Sequence, residues 1–191
     1  GILREQIIAS AQPKIDYRYA FSGFRSSIVS SKRHLTRMRP NRRMEFEQMG
    51  SVYQLSTKLL VAVDVSMSVS SQQLDYFYSL IRRYFKYGIE HMDVVQFDAA
   101  LGEVRPFKKQ RTTTIEVLGR GGTSFQPIID YAKRHSYDGL CIMTDGYAPV
   151  PMIPLGFHTP LLWVMSSEKE YLDSHQWMEQ LPRSRACWLK I

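Results

Sequence analysis

Asp64, Ser66 and Ser68 stand at alternate positions in the stretch Val61-Ala-Val-Asp64-Val-Ser66-Met-Ser68-Val-Ser70. One carboxylate and two hydroxyls at that spacing are all small oxygen donors, and hard divalent cations take oxygen ligands. An apolar run, Leu59 to Val63, leads directly into them. Such a run reads as a central strand of a parallel sheet, buried on both faces. In open α/β sheets, ligands sit outside the carboxyl ends of the strands, where these three residues fall. The stretch is therefore expected to begin a magnesium-type site, one that binds rather than cuts.

Two distant pieces are expected to join it. Thr123 ends a flexible loop, Gly119-Arg-Gly-Gly-Thr123-Ser124, and Asp145 lies in Thr144-Asp145-Gly146 after a second apolar run. Each falls at or just beyond the carboxyl end of a strand, so one crevice can collect all three pieces. The glycines before Thr123 let a loop backbone approach closely, and Gly146 lets the chain turn sharply. The set is then three hydroxyls, on Ser66, Ser68 and Thr123, and two carboxylates, on Asp64 and Asp145. Magnesium takes about six oxygens and keeps some waters. Two carboxylates roughly balance its charge. If they act through water, the hydroxyls alone are direct ligands and the ion stays electrophilic. It then accepts one more oxygen, most favourably a carboxylate from outside, which is chemistry for recognising Asp or Glu on a partner protein.

The elements that must position these residues are legible in turn. Ser70 or Ser71 caps a helix to about Tyr87, with Leu74, Phe77, Tyr78, Ile81, Tyr84 and Phe85 as its buried stripe and Gly88 as its C-terminal cap. Met92 to Phe97 is a second strand. Leu101-Gly102 turns into a short strand, Glu103 to Phe107, which Pro106 marks as an edge. Thr112 to Leu118 fits strand or loop. Pro127 opens a helix to about His135. Gly139 to Thr144 and Leu161 to Met165 are strands, separated by a Pro-rich stretch over 148–160. Ser167-x-x-Glu170 is a capping box opening a last helix to about Leu181, and Ala186 to Ile191 is the final strand. Alternating strands and helices predict an α/β domain with a mostly parallel sheet covered on both faces.

The chain has 191 residues and a net charge of +7, unevenly spread. Residues 1–43 hold ten Lys/Arg against two acids, whereas the remainder holds fifteen against sixteen. The basic character belongs to an N-terminal arm. Leu3 to Ser10 and Tyr17 to Ser30 are helix-compatible, the second with Tyr17, Phe21, Phe24 and Ile28 on one face. Lys32 to Arg43 then packs six Lys/Arg into twelve residues, with Pro40 breaking any helix. This basic segment could bind nucleic acid, though it lacks the interleaved aromatics of a single-strand platform. The alternative is a loop whose arginines pack over this domain or one upstream. Residues 1–50 thus read as a helical, basic arm, the possible tail of an upstream domain, and 51–191 as the main domain. Gly1 standing directly before helix-compatible sequence suggests an artificial start with residues missing upstream. No apolar run approaches the roughly 20 residues of a membrane span, and no leader with a cleavage site precedes the domain. Cys141 and Cys187, both in apolar runs, read as buried free thiols of a reducing compartment, hence a cytoplasmic protein.

From about residue 58 to the end, the chain resembles a von Willebrand factor type A (VWA) domain. Asp64-Val-Ser66-Met-Ser68, Gly122-Thr123 and Thr144-Asp145-Gly146 look like the three segments of its metal-ion-dependent adhesion site (MIDAS). The resemblance implies a Rossmann-like, three-layer α/β sandwich with one antiparallel edge strand. It implies direct coordination of Mg²⁺ (or Mn²⁺/Ca²⁺) by Ser66, Ser68 and Thr123, with Asp64 and Asp145 acting mostly through water. Met67 stands where many relatives carry glycine, which alters the rim rather than the ligands. Met38-Arg-Pro-Asn-Arg-Arg43, leading into Leu59-Leu-Val-Ala-Val-Asp64, and Gln96-Phe97-Asp98 resemble the C-terminal half of bacterial predicted metallopeptidases associated with MoxR-type AAA+ ATPases. That resemblance implies a zinc-type domain upstream. The peptidase signature is absent here: none of His34, His91, His135, His158 and His175 lies in His-Glu-x-x-His. This segment is therefore expected to be no enzyme.

Other chemistries fit less well. A phosphorylated Asp64 needs a second acid two residues on, and that position is Ser66. Gly119-Arg-Gly-Gly-Thr123 lacks the Gly-Lys-Ser/Thr of a nucleotide loop. His175 and Glu179 are two ligands without a third. Ser66 has no placed histidine and does not lie in Gly-x-Ser-x-Gly. A metal-dependent hydrolase using the same crevice is the remaining catalytic alternative. Tyr147 and Phe125 flank the site, either as a ligand rim or as core.

Overall fold

A computed structural model describes residues 4–8, 24, 33–40, 49–53, 57–85, 89, 91–107, 114–119 and 121–189. In chain order its elements are β1 (Arg4–Ile8), β2 (Arg33–Pro40), β3 (Met49–Tyr53), β4 (Lys58–Asp64), α1 (Ser71–Tyr84), β5 (His91–Phe97), β6 (Arg105–Pro106), β7 (Thr114–Leu118), α2 (Gln126–His135), β8 (Gly139–Thr144), β9 (Leu161–Met165), α3 (Glu168–Gln180) and β10 (Ser184–Trp188).

The apolar run Leu59–Val63 is fully buried because β4 lies inside a six-stranded sheet of order β10-β9-β8-β4-β5-β6. It pairs in parallel with β5, from Lys58↔His91 to Asp64↔Phe97, and with β8, from Leu59↔Gly139 to Val63↔Met143. The Pro106 strand is the antiparallel edge, pairing through Asp93↔Pro106 and Val94↔Arg105.

Successive side chains of a strand point to opposite faces, and the two cores divide accordingly. Leu59, Val61 and Val63 pack with Leu74, Phe77 and Ile81 of α1. Leu60 and Ala62 pack with Ile128, Ile129 and Ala132 of α2 and Met178 of α3. The division follows from handedness. The β4–α1–β5 crossover steps to one side of β4, while β8, β9 and β10 step away on the other. Right-handed crossovers moving in opposite directions place their helices on opposite faces. The strand order therefore reverses between β4 and β8. That switch point opens a crevice at their carboxyl ends, where the candidate residues lie.

The helix starts are set by side chains. The Ser70 hydroxyl accepts the Gln73 N–H while the Gln73 side chain accepts the Ser70 N–H, and Ser167 and Glu170 do the same for α3. Each box satisfies two backbone donors left open by a helix start. Gln73 also donates to Ser166 and Glu170, tying the two helix starts together at the carboxyl edge of the sheet.

Three expectations need correction. Leu3 to Ser10 is not helical over its described part: Arg4–Ile8 is a strand, antiparallel to β7 from Arg4↔Leu118 to Ile8↔Thr114. That pairing also settles Thr112 to Leu118 as strand over Thr114–Leu118. Over its described part the basic segment is strand, not loop: Arg33–Pro40 pairs antiparallel with β3, with a register shift between Thr36 and Pro40. The helix after β4 ends at Tyr84 with Phe85 as its cap, three residues short of Tyr87. Of the expected Tyr17 to Ser30 helix only Phe24, helical and buried, lies within the described residues, and Gly88 lies outside them. Among the described residues no helix is long and apolar enough to cross a membrane.

Candidate metal centre

Asp64 ends β4, one residue past the Val63–Met143 pair, and is fully buried. Its Oδ1 accepts the Ser66 N–H at 2.9 Å, which folds the chain back immediately after the strand. Its Oδ2 accepts the Thr144 hydroxyl at 2.6 Å. Thr144 in turn accepts the Gly146 N–H at 3.1 Å, so a short relay from the β8 turn orients the Asp64 carboxylate. Burial raises the Asp64 carboxyl above its usual range, opposed by hydrogen bonds from Ser66 and Thr144 and reinforced by the charge of Asp145.

The turn after Asp64 brings the Ser66 and Ser68 hydroxyls within 3.1 Å of each other. Ser66 is buried and Ser68 exposed, so the pair runs from the interior to the surface. Asp145 follows β8 and is buried as well. Its Oδ1 accepts the Tyr147 N–H at 3.1 Å, whereas its Oδ2 is buried without a hydrogen-bond partner. Gly146 has φ +84°, and a Cβ there would meet the Ser174 Oγ of α3 at 2.6 Å, so this turn presses its backbone onto the helix.

Thr123 is half-buried in the loop that enters α2. The loop is tied to the Asp64 turn by a long bond from the Met67 N–H to the Gly121 carbonyl, at 3.4 Å. It is held more firmly by Asp98, just past β5. The Asp98 Oδ2 accepts the Gly121 N–H at 3.1 Å, and its carbonyl accepts the Ser124 N–H at 3.0 Å. Its Oδ1 accepts the Ala100 N–H at 3.0 Å. Gly119, at φ +118°, would place a Cβ 2.7 Å from the Asp98 Oδ2. Gly119→Ala is therefore expected to destabilise the protein by about 1–3 kcal/mol, the usual range for a strained backbone position. A urea unfolding midpoint checks it.

The donor set suits a hard cation. Two buried carboxylates, one with an oxygen that no protein donor satisfies, and two adjacent hydroxyls provide oxygen without sulfur or imidazole. Among the described residues no three of His, Cys, Asp and Glu cluster as a metal site, so a cation here would lean on hydroxyls. Ser66, Ser68 and Thr123, with Asp64 and Asp145 behind them, are the residues that would hold it.

The remaining candidates resolve simply. Phe125 is buried, in edge contact with Phe97 and Trp163, and is core. Tyr147 is 56% exposed and Met67 74%, so both belong to the rim. His175 stacks on Tyr171 with its Nδ1 2.9 Å from the Tyr171 carbonyl, within its own helix. Two contributors escaped the reading of site residues in the sequence. Thr144 carried a signal, being a polar residue ending an apolar strand beside Asp145. Asp98 stood out only within Gln96-Phe97-Asp98, a stretch that marked a resemblance and gave it no role in the site.

A family model described as a VWA-like domain (DUF2201) matches residues 59–180. An uncharacterized protein of Thermotoga maritima is 27% identical over 153 residues, covering 80% of this chain and 38% of that protein. The chain thus spans well under half the length of this relative.

Proposed function

Since the chain belongs to the VWA-like domain family, we propose that it is a metal-dependent protein-interaction module. Its Mg²⁺-type ion is held by Ser66, Ser68 and Thr123, with Asp64 and Asp145 behind, and an open position accepts a partner's Asp or Glu. The resemblance of the sequence points to a longer bacterial protein with a zinc-type peptidase domain and a MoxR-type AAA+ partner.

The observation that carries the reading is the Asp145 Oδ2, buried with no hydrogen-bond partner. A buried carboxylate oxygen left without a donor is costly. A cation bound at that oxygen would remove the cost. A protein partner, rather than a small molecule, is favoured by the exposed apolar side chains of the same edge. Met67 follows β4, and Tyr147, Val150 and Met152 follow β8, each at least 55% exposed. Large exposed apolar residues gathered on one edge mark interaction surfaces.

We assign no catalysis to this segment. The free thiols, Cys141 buried and Cys187 partly so, support a reducing, cytoplasmic setting.

Ligands that bind only the native state raise its stability, by about 2.7 kcal/mol at a hundredfold excess over Kd. In a domain of this size that is a rise of about 5–10 °C in Tm. Millimolar Mg²⁺ or Mn²⁺ should produce such a rise in a thermal melt. Asp64→Ala combined with Thr123→Ala should abolish it. A wild-type melt that ignores both ions would overturn the proposal.

A further inference from the structure

We propose that Asp98 is the positioning residue of the metal centre, fixing Thr123 for coordination without touching the ion; this rests on the function proposed above. Thr123 sits between two backbone donors that both end on Asp98. Its side chain takes the Gly121 N–H at 3.1 Å and its carbonyl takes the Ser124 N–H at 3.0 Å. The third bond, from the Ala100 N–H to Oδ1, fixes the carboxylate itself. All three groups are thereby locked to the end of β5, whose last residue, Phe97, is in register with Asp64. The loop that carries one hydroxyl ligand is thus referenced to the strand pair that carries the carboxylate.

The glycines of the loop fit this role. A Cβ would meet the Asp98 Oδ2 at 2.7 Å from Gly119 and at 3.1 Å from Gly121, while at Gly122 it would meet nothing within 4 Å. The first two glycines are therefore where the loop must close on the carboxylate. Groups that orient metal ligands in this way are worth about 10–100-fold in metal affinity.

The test compares wild type, Asp98→Asn and Asp98→Ala by Mn²⁺ titration calorimetry, with amide hydrogen exchange at Gly121 in the metal-free proteins. Asp98→Asn keeps the shape but loses one acceptor, so affinity should fall about tenfold; Asp98→Ala should lose about a hundredfold or more. Exchange at Gly121 should quicken in both variants, while amides of β4 and β8 stay protected. A merely structural role would speed exchange throughout those strands, and that result overturns the inference. So does an Asp98→Asn affinity equal to wild type. If Asp98→Ala does not fold, the Asp98→Asn comparison decides alone. A wild type that binds no Mn²⁺ refutes the proposed function, and the inference with it. Wild-type binding that survives both substitutions refutes the inference alone.

Discussion

Trp163→Ala should cost about 3–5 kcal/mol of stability, the range for truncating a buried aromatic. Domains of this kind are stable by only about 5–15 kcal/mol, so the loss is a large share of the whole. Trp163 is fully buried on β9. Its ring lies edge-on to Phe125 at 5.0 Å and to Trp177 at 5.3 Å. Its Nε1–H donates to the Ser184 hydroxyl at 2.9 Å, joining β9 to β10. Alanine would open a cavity where the start of α2, the side of α3 and the sheet meet, and it would leave Ser184 without that donor. The urea midpoint should fall with the m-value unchanged, since the surface exposed on unfolding is nearly the same. Trp163→Phe keeps a ring in the cluster and should lose less. Tyr147→Ala, on the exposed rim, should change the stability by no more than about 0.5 kcal/mol. Near-equal effects at Trp163 and Tyr147 would contradict the assignment of one to core and the other to rim.

The central part of this fold was legible because its signals are local. Leu59–Val63 is an apolar run closed by Asp64, and a strand flanked by β5 and β8 and covered on both faces has that pattern. Ser70 was one of two candidate caps for α1, and Ser167 with Glu170 is spaced as a capping box, a geometry contained within four residues. Pro106 marked an edge because proline cannot donate into a ladder. What failed was non-local. Arg4–Ile8 holds too few apolar residues to distinguish a period of 3.6 from one of 2, and its partner, Leu118 opposite Arg4, lies more than a hundred residues away. The candidate site divides in the same way. Asp64, Ser66 and Ser68 announce themselves by spacing, and Thr123 and Asp145 by their places after glycines and after a strand. Asp98 looks like any acid in a surface turn until Gly121 folds back onto it. Nor does sequence reveal that one Asp145 oxygen meets a donor while the other is buried without one.

Asp64→Asn should move stability and metal response in opposite directions. Burial holds the Asp64 carboxyl above its ordinary value of 3.8, with the charge of Asp145 adding to the rise. A carboxyl raised on folding binds its proton more tightly in the native state than in the unfolded one. The metal-free protein therefore loses stability as pH climbs from about 3.8 through the raised value, and above it carries the full penalty. The amide of Asp64→Asn is the same size and carries no charge. Its oxygen can still accept the Ser66 N–H, and its nitrogen can donate to the Thr144 hydroxyl in place of the present 2.6 Å bond. In EDTA at pH 7 the variant should thus melt above wild type, and as pH climbs above about 3.8 it should lack the wild-type decline. With millimolar Mg²⁺ the order should reverse, because the ion stabilises only the protein that retains two carboxylates. For wild type the metal-induced rise should shrink as pH falls through the Asp64 titration, since protons compete with the cation for the same oxygens. A variant less stable than wild type in EDTA would show that the Asp64 charge holds the fold together. The same melt in both proteins with and without Mg²⁺ would show that the charge is not kept for a cation. The expected crossing is the signature of a buried carboxylate that destabilises the empty domain and is repaid only when a metal arrives.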